Sequence, residues 1–138
     1  MNALVIDSSI ALGFVLKDEQ EPCALRVREF IKQGVPTFVP AHWCVEVANG
    51  LVMAERRKRA SQADTTESLN LVAALPVIAD SETMRRVGSE TTALARQYGL
   101  TVYDAVYLEL SMRRGAALAT SDAALSKAAK AAGVEILS

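Results

Sequence analysis

Histidine and cysteine are scarce in this 138-residue sequence. His42 is the only histidine, and Cys23 and Cys44 are the only cysteines. A catalytic triad built on histidine or a zinc site with several histidine ligands is therefore not expected, and the two cysteines lack the close spacing of metal ligands. We interpret both cysteines as small, buried hydrophobic residues.

Aromatic residues, net charge and long apolar runs are also limited. Aromatic residues make up 5% of the chain and the formal net charge is −1, so no overall attraction to nucleic acid or anionic membrane is expected. No apolar run reaches the roughly 20 residues of a membrane span. The N-terminus lacks the basic start and cleavage site of a signal peptide. We therefore expect a cytoplasmic protein without a membrane partner.

The chain nevertheless has ample material for a core. Hydrophobic residues make up 51% of it, which predicts one globular domain over residues 1–138. Short β-branched or apolar runs alternate with helical patterns, which favours an α/β fold with a mainly parallel central sheet and helices on both faces. The predicted strands are 3–6, 37–39, 77–79, 116–119 and 134–137. The first predicted helix begins after Ser8 and Ser9. Six further helices are predicted over about 22–34, 42–58, 61–75, 81–98, 102–115 and 123–132.

The stretch from Asn2 to Leu12 carries the first functional signal. An apolar strand ends at Asp7, and serines suited to capping a helix follow it. In open α/β sheets, ligands bind at the carboxyl ends of the strands. Asp7 is therefore either a ligand-binding carboxylate or the cap of the first helix, and the sequence around it leaves both interpretations open.

Three further acidic residues stand where the same edge of the sheet is expected: Glu46, Asp104 and Asp122. Clustered carboxylates repel one another, and a hard divalent cation such as Mg²⁺ relieves that repulsion. Two such ions about 4 Å apart support hydrolysis of a phosphodiester. The structural alternatives are helix caps for Asp104 and Asp122 and a solvated helix face for Glu46. Thr120, at the end of the predicted strand before Asp122, is most simply interpreted as making a local hydrogen bond to the backbone.

Three blocks of the sequence, Leu4–Leu12, Val39–Leu51 and Leu100–Leu125, together resemble the PIN-domain ribonucleases of the VapC type, which are toxins of toxin–antitoxin pairs. This resemblance implies a single PIN-like domain. It also implies that Asp7, Glu46, Asp104 and Asp122 are catalytic residues that hold one or two Mg²⁺ or Mn²⁺ ions, supported by the polar residues Ser8, Ser9 and Thr120. The implied activity is metal-dependent endoribonuclease cleavage of RNA, with a VapB-like cognate antitoxin as partner and a homodimer as the assembly.

Basic and aromatic side chains near these blocks are candidates for contacts with RNA. The basic candidates are Arg56–Arg59, Arg85–Arg86 and Arg113–Arg114, and the aromatic ones are Trp43, Tyr103 and Tyr107. Basic residues near a helix C-terminus also complement the helix dipole, and aromatic residues also pack in cores, so a structural role fits each of them.

Other classes of protein explain the pattern less well. A Mg²⁺-dependent phosphoacceptor signalling domain would show paired acidic residues after the first strand, whereas Ser8 follows Asp7. A catalytically silent PIN-like module that binds RNA or docks an antitoxin would be expected to lack one of the four carboxylates. Dinucleotide binding requires a glycine-rich turn after the first strand, and the sequence has none there.

Overall fold

The fold is built on a parallel sheet of five short strands. The computed structural model describes residues 1–18 and 21–137. The strands are β1 (Leu4–Ile6), β2 (Thr37–Val39), β3 (Ile78–Ala79), β4 (Ala117–Ala119) and β5 (Ile136–Leu137), in the order β3-β2-β1-β4-β5. Every pair is parallel, and Val5 of β1 lies opposite Phe38 and Leu118. The central strand β1 is buried along its whole length, which explains its unbroken apolar sequence.

Helices cover both faces of the sheet. They are α1 (Ser8–Val15), α2 (Pro22–Lys32), α3 (Trp43–Arg56), α4 (Gln62–Ala73), α5 (Thr83–Arg86), α6 (Thr92–Tyr98), α7 (Val102–Arg114) and α8 (Ala123–Ala131). Helix α1 contacts α2, α3 and α4, whereas α7 contacts α6 and α8. The strand order turns back at β1, so right-handed crossovers place α1–α4 on one face and α5–α8 on the other.

Local sequence signals explain most helix boundaries. Ser61 and Asp64 form the capping box at the start of α4. Gly99 and Gly115 adopt the left-handed conformation that ends α6 and α7. The predicted helix over 81–98, for which the sequence suggests Ser81 as the cap, is not continuous in the structure. Helix α5 begins at Thr83 without a side-chain cap, and a π-helical segment over Val87–Thr91 separates it from α6.

The sequence pattern predicts a core-facing stripe of α3 over Cys44, Val47, Ala48 and Leu51, which is confirmed at Val47 and Leu51 and wrong at Cys44. Trp43, Val47, Leu51 and Ala54 are buried, whereas Cys44 is exposed. A shift of one residue rotates a side chain by about 100° around a helix, so Trp43 occupies the core position assigned to Cys44. Cys23 is buried as expected, and its Sγ lies 3.1 Å from the carbonyl oxygen of Leu137.

The helices in the described ranges are those of a domain packed around a sheet. None of them, in residues 1–18 or 21–137, is long and apolar enough to cross a membrane.

Candidate active site

Asp7 lies directly after β1, at the edge of the sheet where the strands end, which we call the carboxyl edge. Its Oδ1 accepts hydrogen bonds from the Ser9 hydroxyl and, at 3.3 Å, from the backbone N–H of Ile10. Its Oδ2 accepts a hydrogen bond from the Thr120 hydroxyl. Asp7 is therefore the N-cap of α1, and burial raises its pKa to about 6 against these hydrogen bonds.

Polar contacts join Asp7 to Asp122 across β1 and β4. The Thr120 Oγ1 that donates to Asp7 also accepts the backbone N–H of Asp122, at 3.0 Å. The backbone N–H of Ser121 donates to the Ser9 hydroxyl, also at 3.0 Å. Asp122 is the N-cap of α8, with its Oδ1 2.7 Å from the backbone nitrogen of Leu125. One oxygen of Asp122 thus supports the helix, and the side chain stands at the surface.

Glu46 points toward α7 rather than into solvent. Its Oε1 accepts a 2.5 Å hydrogen bond from the Tyr107 hydroxyl. Nε2 of His42 lies 3.1 Å from the same oxygen. The geometry of this contact does not meet that of a hydrogen bond, and Nε2 has no hydrogen-bond partner among the described residues, so we interpret the contact as electrostatic. Burial raises the pKa of Glu46, but His42 and Tyr107 outweigh it and hold the pKa below its usual range. A solvated helix face, the structural alternative for this residue, does not describe this environment.

Asp104 is the carboxylate whose pKa is affected by its acidic neighbours. Thr101, not Asp104, caps α7, with its hydroxyl 3.1 Å from the backbone nitrogen of Asp104. Burial and the negative charges of Asp122 and Glu46 raise the pKa of Asp104. The four carboxylates predicted from sequence therefore lie at the same carboxyl edge, and the repulsion among them acts on Asp104, from Asp122 and Glu46.

Comparison with known families identifies the fold. Residues 4–131 match the PIN domain. The chain belongs to the PIN domain family.

Solved structures share this architecture at low sequence identity. PAE2754 from Pyrobaculum aerophilum has a TM-score of 0.71 and 21% identity, with 98% of this chain and 83% of that chain covered. FitAcB from Neisseria gonorrhoeae has a TM-score of 0.63 and 12% identity, with 98% of this chain and 96% of that chain covered. VapBC2 from Rickettsia felis, solved bound to a DNA fragment from its promoter, has a TM-score of 0.59 and 13% identity, with 87% of each chain covered. Comparison of the sequence with those of curated proteins gives no match.

The PIN carboxylates fit a hard divalent cation in kind, because carboxylate oxygens are the ligands that Mg²⁺ and Mn²⁺ prefer. The mutual repulsion at Asp104 is the charge imbalance that such an ion relieves. Within residues 1–18 and 21–137, however, no three acidic, histidine or cysteine side chains lie close enough together to hold a metal ion. The exposed Asp122 and half-buried Asp104 are the side chains with room to turn toward an ion.

Two acidic residues at this edge of the PIN fold, Glu21 and Asp80, were not predicted from sequence. Glu21 accepts a 2.8 Å hydrogen bond from the Ser121 hydroxyl, which brings a fifth carboxylate beside Asp122. Asp80 follows β3 on the same edge and is buried. The signal for Asp80 was available, because it too stands directly after a predicted strand. Glu21 had no such signal, since it precedes a helix rather than follows a strand.

The basic candidates divide according to their contacts. Arg113 is nearly buried and its guanidinium pairs with Asp80 and Glu109, so it is part of the interior. Arg85 and Arg86 both pair with Glu82. The cluster Arg56–Arg59 lies at the far end of α3, about 15 Å along the helix from Glu46. The dipole and ion-pair interpretations thus account for much of this basic set.

The three aromatic candidates also differ. Trp43 and Tyr107 are each 1% exposed and pack in the core. The Trp43 indole N–H donates to the backbone oxygen of Asp7 at 3.2 Å. Tyr103 is 67% exposed beside Asp104, and its ring centroid lies 6.2 Å from that of His42. Among these three, only Tyr103 offers a ring face to a ligand.

Proposed function

We propose that this protein is a metal-dependent endoribonuclease and the toxin of a type II toxin–antitoxin pair. The observation that carries the proposal is the gathering of Asp7, Glu46, Asp104 and Asp122 at one carboxyl edge, with the pKa of Asp104 raised by burial and by its acidic neighbours. Proteins of the PIN family are generally nucleases, which supports the class of reaction.

Asp7, Glu46, Asp104 and Asp122 would hold Mg²⁺ or Mn²⁺, directly or through water. When bound, such an ion supplies an activated water and stabilises charge on the scissile phosphate. The residues of the chain orient the ligand atoms. Ser9 and Thr120 fix the two oxygens of Asp7, while Tyr107 fixes Oε1 of Glu46. Ser8, whose hydroxyl hydrogen-bonds Tyr107, completes the set of supporting polar residues.

The structural neighbours support the choice of partner. The motifs of this chain resemble the VapC type, and one neighbour is the VapBC2 complex from Rickettsia felis. We extend from this a VapB-like antitoxin as the cognate partner, a homodimeric assembly, RNA as the substrate and the cytoplasm as the place of action. A catalytically silent PIN module that only binds RNA or antitoxin is the competing proposal. The observation that favours it is that, within the described ranges, no three acidic, histidine or cysteine side chains lie close enough together to hold a metal ion.

Cleavage of total cellular RNA by the purified, antitoxin-free protein tests the proposal. The reactions contain Mg²⁺, Mn²⁺ or EDTA, and the Asp122→Asn variant is measured beside the wild-type protein. We expect discrete cuts that need metal and are lost in the variant. Folded wild-type protein that cuts no class of RNA in either metal would favour the silent module. Cuts that persist in both EDTA and the variant would identify a contaminant.

A further inference from the structure

Asp80 lies at the centre of a buried network that follows β3, at the same carboxyl edge of the sheet. Its backbone N–H donates to the carbonyl of Val39 at 2.8 Å, which ties the end of β3 to the end of β2. Its two carboxylate oxygens accept hydrogen bonds from the Arg113 guanidinium at 3.0 and 2.8 Å. Arg113 is itself held by Glu109, at 2.7 Å from Nε to Oε1. Such a bidentate pair fixes both the position and the direction of Asp80.

Thr83 extends this network to the start of α3. Its buried hydroxyl donates to Oδ2 of Asp80 at 2.8 Å. The Thr83 hydroxyl oxygen in turn accepts the backbone N–H of Ala41 at 3.1 Å. Ala41 directly precedes His42, the N-cap of α3, and the side chain of His42 makes no capping hydrogen bond. The contact with Thr83 therefore anchors a turn that lacks a side-chain cap of its own.

Two connections join α7 to the first part of α3. One is the hydrogen bond from Tyr107 to Glu46. The other is the chain of contacts from Arg113 through Asp80 and Thr83 to the backbone at Ala41. Together they close a ring of contacts that runs from α7 through the end of β3 to the start of α3 and back.

We propose that Asp80 and Thr83 are positioning residues: through the Ala41 N–H they fix the first turn of α3 and with it the placement of Glu46 at the carboxylate site. The metal-binding consequence of this inference rests on the proposed nuclease function. The structural part does not, because it concerns only the placement of α3.

A matched set of threonine variants tests the inference. Thr83→Val removes the bridging hydroxyl at nearly constant volume, Thr83→Ser retains it, and Thr83→Ala is the alternative if valine does not fold. Thr65→Val is the control, because the Thr65 hydroxyl donates to Glu55 at 2.6 Å, at the distal end of the same helix. Thr65 and Thr83 are buried to a similar extent, so the two valine variants are matched in burial, and both lose a hydrogen bond from the threonine hydroxyl to a carboxylate.

The first readout needs neither metal nor RNA. Trp43, the only tryptophan, lies in the first turn of α3 and donates its indole N–H to Asp7. We expect Thr83→Val to speed hydrogen exchange of this indole N–H about fivefold or more, the size expected for the loss of an ordinary hydrogen bond. Thr83→Ser and Thr65→Val should exchange at the wild-type rate. An unchanged rate in folded Thr83→Val or Thr83→Ala overturns the inference.

The second readout is Mn²⁺ affinity, measured by titration of the same proteins. Thr83→Val should raise the Kd for Mn²⁺ about tenfold, as loss of support around metal ligands does, whereas Thr83→Ser and Thr65→Val should not. Wild-type affinity in Thr83→Val, despite faster exchange at Trp43, overturns the claim that the network positions Glu46 for metal. Wild-type protein that binds no Mn²⁺ contradicts the proposed nuclease instead, and the exchange result at Trp43 still decides the placement of α3.

Discussion

The hydroxyl of Tyr107 donates a 2.5 Å hydrogen bond to Oε1 of Glu46, joining α7 to α3 across 61 positions of sequence. Tyr107 is 1% exposed, and burial together with the charge of Glu46 raises the pKa of its hydroxyl far above the usual value. The hydroxyl therefore stays protonated at any pH of interest. It acts as a fixed donor that orients Glu46 and keeps it ionised.

Removal of this donor should weaken metal binding without unfolding the protein. We expect Tyr107→Phe to lower Mn²⁺ affinity or cleavage about 10- to 100-fold, the range seen when a residue that orients a metal ligand is lost. The measurement is the dependence of cleavage on metal concentration. Tyr98→Phe is the control, since no hydrogen bond of the Tyr98 hydroxyl occurs within the described ranges. Equal metal dependence in the two variants would remove Tyr107 from a role in the site.

Asp7 should destabilise the metal-free protein at neutral pH. Its pKa in the folded state is about 6, above the reference value of 3.8. The folded protein binds the Asp7 proton more tightly than the unfolded chain does. This contribution to the free energy of unfolding is fully present below pH 3.8 and is lost as the pH rises through 6. The full loss is at most roughly 3 kcal/mol, from about 1.4 kcal/mol per unit.

We therefore expect Asp7→Asn to raise the free energy of unfolding at pH 8 by about 1 to 3 kcal/mol, and to change it little at pH 4. Urea denaturation in EDTA measures this. Asp64→Asn is the contrasting variant, because hydrogen bonds from Ser61 lower the pKa of Asp64 and the effect at pH 8 should have the opposite sign. A lower stability of Asp7→Asn at pH 8 would show that the capping contacts of Asp7 outweigh the cost of its burial.

Arg113 should be one of the most important charged residues for stability. Its guanidinium pairs with Asp80, whose side chain is fully buried, and with Glu109, which is 6% exposed. Arg113→Leu removes the shortest ion pair of each carboxylate and leaves the longer ion pairs from Arg114 to Asp80 and from Arg86 to Glu109. We therefore expect a cost toward the lower end of the range of about 3 to 5 kcal/mol that is typical of a broken buried pair. Arg85→Leu removes a pair whose arginine is 75% exposed and should cost about 1 kcal/mol or less. Chemical denaturation at neutral pH separates the two expectations.

Acid should reduce the advantage of the wild-type protein over Arg113→Leu. The hydrogen bond from Arg113, against the opposing effect of burial, lowers the pKa of Asp80 from 3.8 to about 2. The stability that ionised Asp80 contributes is present above pH 3.8 and is lost as the pH falls through 2. A difference between the two proteins that stays constant from pH 5 to pH 2.5 would contradict this assignment.

The order of strands and helices could be read from the sequence because local signals agree with the tertiary fold. Asp7 illustrates why its two interpretations could not be separated. It caps α1 with Oδ1 and accepts the Thr120 hydroxyl on Oδ2, so the capping interpretation is confirmed, whereas its role as a ligand-binding carboxylate stays a prediction. The parallel sheet itself brought Asp122 to the same edge, which the alternation of elements had predicted.

The parts that escaped prediction depend on contacts between distant elements. Cys44 and Trp43 differ by one position, and only the packing of α3 on the sheet decides which of them is buried. The ion pair between Arg113 and Asp80 joins α7 to the end of β3, which no local pattern encodes. Arg113 had therefore been a candidate for RNA contact, whereas the structure uses its charge in the interior.

Tyr103 is the aromatic residue that the structure leaves available to a substrate. Its side chain is 67% exposed, it is adjacent to Asp104 in sequence, and its ring is tilted by 41° to that of His42. Single-stranded RNA is commonly held by stacking of bases on exposed aromatic rings. Because Tyr103 is adjacent to Asp104, we expect a base next to a phosphate held by the carboxylates to stack on its ring.

We therefore expect Tyr103→Leu to raise the KM for a single-stranded RNA substrate about fivefold or more and to leave kcat within a factor of about two, because stacking contributes roughly 1 to 3 kcal/mol per base. Tyr103→Phe retains the ring and should behave like the wild-type protein. An oligonucleotide with an abasic position beside the cut should lose the difference between tyrosine and leucine. If Tyr103→Leu and Tyr103→Phe show the same KM, the ring does not bind a base, and its exposure needs a protein partner as its explanation.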